Sequence, residues 1–138
     1  MVITERISFR TKGHGDIIDI TSQVAQKVKG TPITSGTVTL FSSSSTSALT
    51  TIEFEPGALW DFQQLFDRVA PTGMEYRHNL RWGDMNGYAH VRAALLGPSL
   101  TVPFVNQCLT LGTWQQIVFV DFDNRSRTRE LVLQIMGE

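Results

Sequence analysis

A chain of 138 residues with 41% apolar and 18% charged side chains has the size and composition of one globular domain, residues 1–138. Twelve basic against thirteen acidic residues leave a formal net charge of -1, so the long-range positive field that holds nucleic acid is missing. The single Cys108 excludes an intramolecular disulfide and a cysteine-based zinc framework, and it points to a reducing, cytoplasmic setting. No apolar run approaches the ~20 residues that span a bilayer, and the start reads as no secretory leader, so no membrane partner is expected.

Residues 3–10 alternate about Ile7 and Phe9, with Arg6, Ser8 and Arg10 opposite, which is the period of a half-buried strand. Lys12 to Asp16 reads as a turn and Ile17 to Ile20 as a short strand. Thr21 or Ser22 then caps a short helix that carries Val24, Ala25 and Val28 on one face and stops at Gly30. Val38 and Leu40 alternate with Thr37 and Thr39, predicting a strand that ends at Phe41. The serine run from Ser42 to Ser47 has two readings, a flexible polar linker or a tight loop beside a site. Strand-like sequence on both sides, with Leu49 to Phe54 resuming at once, suits the loop.

Pro56 suits a first helical turn, and Leu59, Phe62, Phe66 and Val69 follow at core-facing spacing, with Trp60 and Leu65 widening the stripe. Pro71 and Gly73 end it. Tyr76 to Trp82 reads as extended and Gly83 to Gly87 as a loop, with Asn86 placed to cap a helix from Tyr88 to Leu96 that Gly97-Pro98 terminates. The last third is β: Leu100 to Val105, a turn at Asn106-Gln107, Leu109 to Leu111, a long strand from Thr113 to Asp123, a turn over residues 124–127, and a closing strand from Thr128 to Met136. The sum is an α+β domain of mixed or antiparallel sheets with about three short helices.

Glu53, His78, Asn86 and His90 are the candidates for catalysis. His90 lies one helical turn beyond Asn86, so the two share a face, and Glu53 follows an apolar strand. Two imidazoles and a carboxylate would suit a divalent ion with an open position, with His78, His90 and Glu53 as ligands. The same trio would also serve acid–base work near neutral pH, and a helix histidine beside Ala93 and Ala94 can be simply a hydrogen-bonded core residue. Guanidinium forks suit phosphate oxygens, and of the six arginines Arg77, Arg81, Arg92, Arg125, Arg127 and Arg129, the preferred anion ligands are Arg81 and Arg125. At least half of the six should form only a solvated face. Ser45 and Thr46 add hydroxyl donors, Trp82 or Trp114 an aromatic wall, and Gln115 or Gln116 an inward amide. Asp123-Asn124 most simply makes a turn.

Several ordered segments resemble the YjbQ-type family, often labelled secondary thiamine-phosphate synthase. They are Asp19-Ile-Thr21, Ala48-Leu-Thr-Thr-Ile-Glu53, Glu55-Pro-Gly57, Tyr76-Arg-His78, Asn86-Gly-Tyr-Ala-His90, Leu96-Gly-Pro-Ser99, Leu111-Gly-Thr-Trp-Gln115 and Asp123-Asn-Arg125. The resemblance covers nearly the whole chain. It implies an α+β homotrimer with clefts near subunit boundaries, where Glu53, His78, Asn86 and His90 would gather. The label implies joining a pyrimidine diphosphate to a thiazole phosphate with release of pyrophosphate, a reaction that would use Mg²⁺ and cationic donors. Many members carry a His-Thr-Thr-Ala-like stretch where this chain has Ser44-Ser-Thr-Ser47, so one family histidine is missing here. The chain therefore reads as an enzyme acting on a small phosphorylated substrate, with a Mg or Zn ion as possible cofactor. The alternatives are a non-catalytic metabolite- or metal-binding module and a metal-dependent hydrolase.

Overall fold

The strict alternation of the first ten residues builds β1 (Val2–Thr11), whose odd-numbered side chains include Ile7 and Phe9 on the inner face. In the computed structural model, which describes residues 1–138, β1 pairs antiparallel with β8 (Arg127–Gly137), Val2 opposite Met136 and Thr11 opposite Arg127. The other edge of β8 pairs with β3 (Gly36–Ser42), which pairs in turn with β5 (Ser99–Val105), and β6 (Cys108–Leu109) closes the sheet. A second, three-stranded antiparallel sheet has β7 (Gln116–Asp121) at its centre, between β2 (Asp16–Asp19) and β4 (Ser47–Ile52). Four helices complete the chain: α1 (Thr21–Lys29), α2 (Pro56–Val69), α3 (Arg77–Trp82) and α4 (Gly87–Leu96).

β7 decides how the layers stack, because it is apolar on both faces, as a strand buried on both sides must be. Ile117 and Phe119 join Leu131, Leu133, Ile135, Leu40 and Val102 in a core between the two sheets, and Val24 and Val28 of α1 plug its side. Val118, Val120 and Phe122 point the other way, into a second core with Phe66 of α2 and Tyr88, Ala89 and Ala93 of α4. The outer face of the large sheet is left to solvent, with paired threonines such as Thr39 and Thr101, whose hydroxyls lie 3.0 Å apart.

Several element boundaries differ from the sequence reading, each for a local reason. Tyr76 to Trp82 is not extended: residues 77–82 are a short helix that stops where Gly83 turns left-handed at φ 73°. There are thus four helices rather than about three. The strand expected from Thr113 begins at Gln116, because the Gln115 N–H donates to the Gly112 carbonyl and the Gln115 amide oxygen accepts from the Gly112 N–H, folding residues 112–115 into a turn. The return strand is Cys108–Leu109 rather than Leu109 to Leu111, set by the turn at Asn106 and Gln107, both left-handed at φ 50° and 61°. Trp60, Leu65 and Val69 do not reach the core and are at least half exposed, since only Phe66 of α2 is fully buried. α2 is capped by Glu55, whose carboxylate accepts from the N–H groups of Gly57 and Ala58 and is thereby held below the usual carboxylate range. No helix is long and apolar enough to cross a membrane.

Candidate functional site

Six connections cross from one sheet to the other, among them β1 to β2, β3 to β4 and β7 to β8. At the corner where the last two meet, the core between the sheets runs out of apolar residues. The inner stripe of β7 continues from Ile117 and Phe119 into Asp121 and Asp123, and that of β8 runs backwards from Leu133 and Leu131 into Arg129 and Arg127. The strand period therefore aims two carboxylates and two guanidiniums into the same gap. Asp121 and Asp123 are 0% and 1% exposed. Charges at that depth persist only when paired and hydrogen-bonded.

The pairing is complete. Arg129 Nε and Nη2 grip Asp121 at 2.7 and 2.8 Å, the Thr11 hydroxyl donates to Asp121 at 2.6 Å, and the Asp123 N–H supplies a fourth bond. Asp123 receives Arg127 Nη2 at 2.8 Å, the Thr46 hydroxyl, the Asn86 amide and the Asn124 N–H. Burial pushes the Asp123 carboxyl up, but the bonds from Asn124, Asn86, Thr46 and Arg127 outweigh it and hold it below its ordinary value. Arg129 also donates to the Ser44 and Thr46 hydroxyls at 2.9 Å each. The serine run is thus the tight loop of the two readings, residues 43–46, closed at its root by a buried 2.7 Å bond between Ser42 and Ser47.

Above this floor lies an open cleft lined by Ser43–Thr46, Asn86, His90, Asp123, Arg127 and Arg129, with no hydrophobic side chain among them. His90 stands over it from α4, with the His78 ring of α3 at 4.2 Å between centroids. Burial pushes the His90 imidazole below its ordinary value and the nearby His78 adds to this, against the opposing pull of Asp123 and Asp84. The shift favours the neutral imidazole, which has one ring nitrogen to accept and one to donate. Two buried atoms, His78 Nδ1 and Asn86 Oδ1, have no hydrogen-bond partner. Asn86 does not cap α4 through its side chain as expected, because Asp123 takes its amide.

The sequence candidates divide. His78, His90, Asn86, Ser45 and Thr46 come together here. Glu53 does not: it follows β4, whose other end, Ser47, adjoins the cleft residue Thr46, and it lines a separate surface hollow with Asp19, Glu55 and Trp114. Within the chain, then, His78, His90 and Glu53 do not form a metal site, and no three His, Cys, Asp or Glu side chains converge to make one. Arg81 lies outside the cleft with its guanidinium 5.2 Å from the exposed Trp82 ring, and Arg125 is exposed beyond it. Gln115 bonds Thr51 and Gly112 on the Glu53 side. The arginines that do reach the cleft are Arg127 and Arg129, and Asp123 is their partner rather than a simple turn residue. The signal for them was present as two i, i+2 charge pairs of opposite sign facing one another across a short turn.

The model of the UPF0047 protein YjbQ-like family matches residues 5–138. A UPF0047 protein of Methanothermobacter thermautotrophicus is 36% identical over 137 residues, covering 99% of this chain and 94% of its own. The UPF0047 protein YugU of Bacillus subtilis is 34% identical over 95% of this chain and 97% of its own. Among solved structures, a YbjQ-like protein of unknown function from Sulfolobus solfataricus superposes with a TM-score of 0.94 at 31% identity, over 100% of this chain and 99% of that one. A Clostridium acetobutylicum member of the yjbq/upf0047 family superposes with a TM-score of 0.86 at 29% identity, over 96% and 99% of the two chains. With sequence and fold in agreement over almost every residue, the chain belongs to the YjbQ-like UPF0047 family.

Proposed function

We propose that the cleft beneath His90 binds the phosphoryl group of a small molecule and that the protein acts on it as an enzyme. One observation carries this reading: nine residues line the cleft, none is hydrophobic, and hydroxyls and guanidinium N–H groups dominate. Asp121 and Asp123 have every oxygen engaged by internal donors, so they serve to aim arginines rather than to hold a cation. Arg127, bonded through Nε and Nη2, keeps the N–H groups of Nη1 for an oxyanion. Ser43 and Ser45 add donors at the opposite wall.

The finer reading, thiamine-phosphate synthesis, fits these parts as follows. The thiazole nitrogen forms the new C–N bond, the C–O bond to the diphosphate breaks, and pyrophosphate departs with that electron pair, its charge met by Arg127, Arg129 and the serine hydroxyls. Neutral His90 would orient the departing group or exchange a proton with it. Glu53 joins this chemistry only across a subunit boundary in the homotrimer, a reading supported by its neighbour Trp114, which is 73% exposed and free to enter an interface.

The test is calorimetric titration with pyrophosphate, followed by a pyrophosphate-release assay with both substrates. Arg127→Met should weaken pyrophosphate about tenfold or more, the loss of a charged hydrogen bond. His90→Asn should keep binding and abolish turnover. An affinity change without any turnover in the native protein would make it a binding module, and no pyrophosphate binding at all would refute the site. Mixing inactive Glu53→Gln and His90→Asn proteins should restore activity only if the two residues meet across subunits. A second reading, a divalent-metal binder, is favoured by the orphaned His78 Nδ1, and it needs a ligand from outside the single chain. Stoichiometric metal that is lost in His78→Ala would select it.

A further inference from the structure

α4 and β7 each have a second face, and it borders a different cavity. His90 and Arg92 are two residues apart on α4, so they project from nearly opposite sides of the helix. Phe122 likewise points away from its neighbours Asp121 and Asp123. On that far side a cavity of about 210 Å³ lies between α2, α4 and the small sheet, lined by Ile17, Phe62, Phe66, Val120 and Phe122 with Arg92 and Asp67 among its polar groups. It shares no residue with the polar cleft.

Arg92 is the only buried cation of the chain, at 6% exposure. Its guanidinium carbon sits 5.1 Å from the Tyr88 ring centre, 5.9 Å from Phe66 and 6.0 Å from Phe122, an aromatic box that tolerates a desolvated cation. Yet its hydrogen bonds are few. Nε donates to the Ala70 carbonyl at 2.9 Å and Nη2 to Asp67 at 3.1 Å, and no protein acceptor meets Nη1. Nη1 is not fully buried, and Arg92 is among the residues that line the cavity. The Asp67 side chain is 59% exposed and holds Arg92 by one oxygen, so it can swing into solvent at little cost.

A buried guanidinium with a free edge, over an apolar floor, matches a planar monoanion better than a phosphate. The carboxylate fork fits two N–H groups, whereas a doubly charged phosphate would face one cation, a nearby aspartate and aromatic walls. Gly13, His14 and Gly15 are all left-handed, at φ 73°, 55° and 82°, and the Gln63 amide donates to the Gly15 carbonyl, so His14 is held at the mouth. We propose that this cavity is a second binding site, for a small organic carboxylate whose apolar body packs on Phe62, Phe66 and Phe122 and whose carboxylate pairs with Arg92. It is independent of the phosphate reading of the polar cleft.

Benzoate is the probe and uncharged benzamide its control, followed by methyl and imidazole NMR shifts. Saturable benzoate shifts at Ile17 and Val120, with the His90 ring unmoved, are expected, and benzamide should bind at least about tenfold more weakly. Arg92→Met should lose the shifts, but this buried change can also unfold the chain. Asp67→Asn is therefore the second variant. It removes the competing carboxylate at an exposed position and should tighten benzoate by up to about fivefold. Shifts that fall on His90, equal binding of benzamide, or no saturable shift in either the native protein or Asp67→Asn would each overturn the proposal.

Discussion

Replacing Arg129 with Met asks whether the charged quartet, rather than the apolar core alone, fastens the two sheets at the cleft. Asp121 has no exposed surface, and Arg129 provides two of its four hydrogen bonds, at 2.7 and 2.8 Å. Met fills most of the space but leaves a carboxylate sealed between the sheets with only Thr11 and a backbone N–H to answer it. Removing one partner of a buried pair costs about 3–5 kcal/mol. With an m-value near 2 kcal/mol per molar urea, the unfolding midpoint should fall by ~2 M. Arg129→Met combined with Asp121→Asn removes the charge as well, and the amide oxygen can still accept from Thr11. The double variant should therefore recover at least ~2 kcal/mol over the single one in a double-mutant cycle followed by circular dichroism. A loss below ~1 kcal/mol in Arg129→Met, or no recovery in the double variant, would refute the view that this pair is compensated burial.

Three further outcomes are expected. His90 is held below its ordinary value of about 6.5, so it favours folding fully above that pH, and the benefit is lost as pH falls from 6.5 through the depressed folded value. Asp123, also depressed, withdraws its share only at more acid pH, below about 4. Urea midpoints measured against pH should thus show two separate limbs, with His90→Asn flattening the first alone. Gly87→Ala places a methyl group 2.6 Å from Tyr76 Cβ at the first turn of α4, and thermal unfolding should show a cost of about 1–3 kcal/mol as α4 is pushed from α3. Ser42→Ala strands the buried Ser47 hydroxyl and should cost about 1–3 kcal/mol, whereas changing both serines to Ala should restore most of it.

Much of the fold can be read from local patterning. The alternation about Ile7 and Val38, the Pro56 start of α2 and the Gly97-Pro98 stop of α4 are signals carried within a few residues, and each marks an element that forms. Where the pattern was misread, a local bond or a neighbour had decided the outcome. Residues 77–82 lack helical periodicity because both faces of α3 are largely exposed, so burial leaves no stripe to recognise. Trp60 and Leu65 widen the apolar stripe of α2 in sequence but face outward, because at about 100° per residue they lie well round the helix from Phe62 and Phe66, which pack on the core.

The candidate site was half legible for the same reason. His78, Asn86 and His90 were found because they lie within one short stretch, where chain geometry alone brings α3 and α4 side by side. Glu53 was misplaced because a strand separates its two ends by its full length, and sequence does not say which end faces the cleft. Arg127 and Arg129 were passed over for Arg81 and Arg125, since an arginine on a strand looks the same whether its face meets solvent or another sheet. Sequence by itself determined the strands, most of the helices and the parity of each stripe. Only tertiary structure decided that the Asp stripe of β7 and the Arg stripe of β8 end in the same gap, because that coincidence depends on which strands pair and on where the chain crosses between sheets.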